Sequence, residues 1–137
     1  MKKESFFNIE NDFYKLAPFT RFEKFITQLE LFKKSIKVKG DIIEFGVYKG
    51  NSLIRLLSFN KIYNKTKKKV FAFDVFSKFP VGTFKKDKKQ RKNFVKNAGE
   101  NSISINKLNN ILKKKKFKNY RLIKGDVLKT LPGFLVK

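Results

Sequence analysis

A chain of 137 residues with 41% hydrophobic side chains is long enough for one domain with a real core, and too apolar for a disordered segment. It has no cysteine and no histidine, which excludes disulfides and thiol or imidazole chemistry, while its formal charge of +23 and pI near 10.3 raise the question of polyanion binding. Arginine, whose bidentate fork reads phosphates and bases, occurs only as Arg21, Arg55, Arg91 and Arg121, and these are unclustered. No specific nucleic-acid partner is therefore expected.

In chain order, Met1 to Phe7 is followed by the polar and acidic Asn8 to Asp12 before any signal-peptide core develops, and no apolar run approaches ~18 residues. The expectation is a cytoplasmic chain without a membrane span. Thr20 to Glu23, read as TRFE, has the form of a capping box. It opens a predicted helix whose Phe22, Phe25, Ile26, Leu29 and Phe32 recur at spacings of three and four, a face expected to pack onto a sheet.

Asp41 to Ser52, DIIEFGVYKGNS, is the most informative stretch. A strand-like run of Ile42, Ile43, Phe45 and Val47 ends in a turn carrying Glu44, Gly46 and Gly50, and Asn51 or Ser52 is placed to cap a helix built on Leu53, Ile54, Leu56 and Leu57. Lys67 to Lys69 precede a second strand, Val70 to Phe73, which ends in Asp74. Lys85 to Lys92, with Phe84 and Phe94, are expected to form a mobile lid toward an anionic substrate, against the plainer reading of a solvated charged face. Ile105, Leu108, Ile111 and Leu112 mark another helix, with Lys113 to Lys116 at its negative C-terminal end. A third strand, Tyr120 to Ile123, leads to Gly125 and Asp126.

Strands alternating with helices predict an α/β fold, a Rossmann-like doubly wound parallel sheet, in which ligands bind outside the carboxyl ends of the strands. Glu44, Asp74 and Asp126 then converge on one crevice, with Asp74 placed to accept hydrogen bonds from both hydroxyls of a ribose. The turn spacing is G-x-x-x-G, not the G-x-G-x-x-G of a dinucleotide site, and a carboxylate two positions before the first glycine would repel a diphosphate. It suits a cofactor with a cationic end, such as S-adenosylmethionine.

These residues resemble a class I S-adenosylmethionine-dependent methyltransferase, and more narrowly the macrocin O-methyltransferase family of sugar-hydroxyl methyltransferases. The resemblance rests on the helix and strand from Thr20 to Lys49, on IIEFGVYKGNS, on FAFDVFSKFP and on LIKGDVLKTLP; the stretch from Val81 to about Asn101 matches poorly. It implies that Glu44, Gly46, Tyr48, Gly50 and Ser52 surround the methionine half of the cofactor, that Asp74 holds the ribose, that Val75 lies against the adenine and that Asp126 meets its amino group. Each also has a plain structural reading: Tyr48 packing at a helix base, Ser52 as an N-cap, Val75 as core, Asp126 as a turn residue.

The same resemblance implies that residues 1–137 are the N-terminal half of one methyltransferase domain, with a leading helical segment at 1–39 and the cofactor-binding βαβαβ portion at 40–137. Family carboxylates for Mg²⁺ and for the base lie after a fourth strand, so Mg²⁺ is expected only in a complete enzyme; no metal ligand and no catalytic residue is assigned here. The first strand is expected at an open sheet edge, with self-association as the consequence. The leading expectation is an O-methyltransferase acting on a hydroxyl of a sugar, nucleotide-linked or otherwise, or of a related small molecule. Two alternatives stand beside it: an inactive cofactor-binding remnant, and a basic nucleic-acid-binding module.

Overall fold

The structure is a computed structural model that describes residues 5–63, 68–81 and 85–135. Two helices, α1 (Phe6–Leu16) and α2 (Thr20–Ile36), precede β1 (Ile42–Phe45), α3 (Asn51–Tyr63), β2 (Val70–Asp74), α4 (Lys85–Ala98), α5 (Ile105–Lys114), β3 (Tyr120–Lys124) and α6 (Val127–Leu135). The three strands form a parallel sheet in the order β1-β2-β3, with Ile42, Val70 and Tyr120 in one row and Phe45, Phe73 and Ile123 in another. The helical crossovers place every strand's carboxyl end at the same edge, which is what positions the site.

Alternation along the strands sends side chains to two different environments. On one face Val70 and Ala72 pack with Leu53 and Leu57 of α3 and Leu108 and Leu112 of α5, all buried. The other face carries Phe71 and Phe73, against which Phe134 of α6 sets its ring edge-on at 4.7 and 5.4 Å between centroids. Helix α6 has Pro132 in its interior, and Pro132-Gly133 reads as a turn in sequence. The ring contacts of half-buried Phe134 outweigh that local preference.

Two sequence expectations for α2 need correction. Thr20 does not cap α2: Phe19 occupies the cap position and no side chain bonds the first turn. The α2 face does not take the sheet as its main partner; Phe25 and Phe32 pack on Phe59 of α3 at 5.3 and 5.7 Å, so α2 forms an outer layer. That is why Phe25 and Ile26 remain exposed while Phe32 is buried. The segment read as a lid is largely the helix α4, and Phe84, like Lys67, lies outside the described residues. Among the described residues no helix is long and apolar enough to cross a membrane.

Candidate functional site

The turn after β1 is held in shape from the neighbouring strand. Gly46 has φ +81° and donates its N–H to the Phe73 carbonyl at 2.9 Å. Asp74 then reaches back: its Oδ2 accepts the N–H groups of Val47 at 2.7 Å and Tyr48 at 2.9 Å, and its Oδ1 accepts Phe76 N–H at 2.7 Å. An ionised carboxylate has about four lone-pair positions. Three are taken by main chain, which leaves one open on Oδ1.

The two glycines of the turn do different work. Around Gly46 the space a Cβ would take is open, so a ligand can lie against its backbone. Gly50, at φ +84°, is buried, and a Cβ there would stand 2.7 Å from Leu108 Cδ1; it lets α5 pack close. The helix start also differs from expectation, because Ile54 N–H bonds the Gly50 carbonyl at 2.9 Å, and neither Asn51 nor Ser52 caps α3.

Glu44 faces α3 from β1, largely buried, with its Oε2 lacking any hydrogen-bond partner. Burial pushes its carboxyl above the ordinary value; the Ser52 hydroxyl and the Arg55 guanidinium pull it back, and the charge of Asp74 pushes it up again. Gln28 of α2 joins this group by bonding both Ser52 and Arg55. Gln28 and Arg55 escaped the sequence reading, since nothing local marks a glutamine 24 residues before the serine it meets.

Tyr48 has φ +52°, and its carbonyl accepts Ile103 N–H at 2.8 Å. Its hydroxyl donates to the carbonyls of Ala98 and Gly99 at the end of α4, and its ring meets Phe94 edge-on at 5.1 Å. Arg91 of α4 in turn bonds the carbonyls of Phe79 and Pro80 and pairs with Glu100. Helix α4 is thereby fastened to the turn and to the segment after β2. A cleft of about 390 Å³ lies beside it, lined by Phe79, Pro80, Val81, Asp87, Gln90, Arg91 and Phe94.

Val75 follows β2 half-buried, and Asp126 follows β3 exposed. Asp126 Oδ1 accepts Leu128 N–H at 3.0 Å, its carbonyl takes the N–H of Thr130, and Gly125 N–H bonds the Asp74 carbonyl at 3.0 Å. The β2 and β3 ends are thus tied together. Among the described residues no group of three or more His, Cys, Asp or Glu side chains gathers as a metal site.

A strand, glycine turn and helix repeated across a parallel sheet, with carboxylates at the strand ends, are features of the class I methyltransferase fold. The chain belongs to the macrocin-O-methyltransferase (TylF) family, whose sequence profile matches residues 19–137. Among solved structures it is similar to the calicheamicin methyltransferase CalS11, at 20% identity and a TM-score of 0.68 over 92% of this chain and 52% of that one. It is also similar to the O-methyltransferase NovP, at 18% identity and a TM-score of 0.62 over 74% of this chain and 44% of that one. The chain thus spans about half the length of the solved structures it matches. No curated protein sequence matches it.

Proposed function

We propose that the chain forms the S-adenosylmethionine-binding part of an O-methyltransferase acting on a hydroxyl of a sugar or related small molecule. The observation that carries this reading is Glu44: a buried carboxylate with an orphaned oxygen, beside a glycine turn with open space, calls for a cationic partner. A diphosphate would be repelled there. The residues fit the cofactor, and Glu44, Gly46, Tyr48, Gly50 and Ser52 would hold its methionine half, Gly50 and Ser52 by shaping the turn and the carboxylate's surroundings.

At the other half, the one free lone-pair position of Asp74 would take a ribose hydroxyl, Val75 would lie along the adenine and Asp126 would meet its amino group. When bound, the cofactor supplies an electrophilic methyl group on a sulfonium. The work of this chain's residues is to seat that group: the Glu44 charge is matched to the ammonium, the Asp74 bonds keep the turn rigid, and Tyr48 links the seat to α4. By the family resemblance, the carboxylates for a Mg²⁺ ion would lie after a fourth strand.

Titration calorimetry with S-adenosylmethionine and with adenosine tests the reading. Glu44→Gln should weaken S-adenosylmethionine by roughly 10- to 150-fold, the equivalent of a hydrogen bond to a charged group, and leave adenosine unaffected. Equal losses for both ligands, or no binding of either to the wild-type chain, would overturn it.

A further inference from the structure

Gln28 sits on α2, outside the cofactor turn and outside every residue assigned to it so far, yet all of its side-chain polar atoms are spent on that turn's helix. Its Oε1 accepts from Arg55 Nε at 2.6 Å, and its Nε2 donates to the Ser52 carbonyl at 3.3 Å and to the Ser52 hydroxyl oxygen. Chemistry fixes the orientation of the amide: a guanidinium can only donate, so the oxygen of Gln28 must face Arg55 and its NH₂ must face Ser52. Because the Ser52 oxygen is used as an acceptor from Gln28, its own hydrogen is left to bond a different acceptor.

The acceptor at hand is Glu44. The Ser52 hydroxyl and the Arg55 guanidinium are the two groups that favour its charged form, and Asp74 of β2 and burial are the two influences that oppose it. Both favourable groups are on α3, and both are held by the one side chain from α2. We propose that Gln28 is a positioning residue for cofactor binding, which turns the Ser52 hydroxyl and the Arg55 guanidinium toward Glu44 so that this side chain meets the cationic end of the cofactor as a carboxylate. The inference rests on the reading that the turn takes S-adenosylmethionine.

The test compares wild type with Gln28→Leu, which keeps the bulk and removes every hydrogen bond. The Glu44 carboxyl is titrated by ¹³C NMR on the ligand-free chain, and S-adenosylmethionine affinity is measured across the same pH range. The Glu44 midpoint should rise by about one unit in the variant, and the loss of affinity should approach about tenfold at the acid end and vanish at the alkaline end. A merely structural role predicts one constant loss at every pH, and that result, or an unmoved midpoint, overturns the role given to Gln28. If Gln28→Leu does not fold, Gln28→Met decides in its place, because it likewise removes both hydrogen-bonding ends and should raise the same midpoint. Failure of the wild-type chain to bind S-adenosylmethionine would instead overturn the cofactor reading, whatever the midpoint does.

Discussion

Asp74 and Tyr48 meet through the main chain: the carboxylate accepts the Tyr48 N–H at 2.9 Å, and its other oxygen accepts the Phe76 N–H at 2.7 Å. Tyr48 and Phe76 are both non-glycine residues in the left-handed region, at φ +52° and +50°. A conformation of that kind costs about 1–2 kcal/mol per residue, so one carboxylate stabilises two strained turns on two strands. Asp74→Ala should therefore lower unfolding free energy by about 3 kcal/mol, the scale of one or two hydrogen bonds to a charged acceptor. Asp74→Asn, which keeps one acceptor oxygen, should lose less. Urea unfolding of the two variants checks the order, and equal small losses would show that the turns hold their shape without the carboxylate.

The same pair shows how far the sequence could be read. The strand, turn and helix from Asp41 onward were legible because apolar runs and glycines are local signals, and both glycines do take positive φ. The three strands emerged where apolar runs predicted them, and Leu108 and Leu112 are buried on α5 as their spacing required. What stayed hidden was anything set by the partner of a residue. Asp74 was legible as a carboxylate at a strand end, but its bonds to Val47 and Tyr48, which cross 27 and 26 residues of chain, were not. Gly50 was legible as a turn glycine, but not the room its missing Cβ leaves for Leu108. Helix α4 was obscured by its lysines, since its order comes from Arg91 and Tyr48 contacts and not from an apolar stripe.

Glu44 gives the chain a pH dependence of definite sign. Its folded-state carboxyl lies above the ordinary value of 4.5, so the native chain holds its proton where the unfolded chain has lost it. Stability from this group is full below the ordinary carboxylate range and falls as pH rises from there through the raised native value. Glu44→Gln removes that penalty. Relative to wild type, the variant should gain stability as pH climbs through this window and show no further change above it, measured by denaturant unfolding at a series of pH values. A difference that shrinks with rising pH would contradict the burial argument.

Arg91 is the fastening of α4, through the carbonyls of Phe79 and Pro80 and the carboxylate of Glu100, and Lys78 adds a 3.3 Å ion pair to the same carboxylate. Arg91→Ala should release α4 without unfolding the sheet, since none of the described α4 side chains belongs to the buried core. Hydrogen exchange of the α4 amides should quicken by about tenfold or more while β2 and β3 amides keep their protection, the signature of local opening. Uniform acceleration across the sheet would instead make α4 part of one cooperative unit with the core.

The last prediction concerns β1. It is an edge strand, pairing only with β2 among the described residues, and it carries Ile43 and Phe45 on its outer face at 41% and 53% exposure. Unpaired N–H and C=O groups beside exposed apolar side chains are a template for another chain, and β1 contains no lysine to blunt it. Opposing this is the net charge of +23, whose repulsion reaches about 10 Å at ~0.1 M salt and about 3 Å at ~1 M. Light scattering of the 137-residue chain should therefore rise with salt across that range. Phe45→Lys places a charge on the edge itself and should flatten the rise, whereas adding a lysine on the exposed surface of α4 should not. A monodisperse wild-type chain at ~0.5 M salt, where charge repulsion is already short-ranged, would mean that this edge is covered in solution.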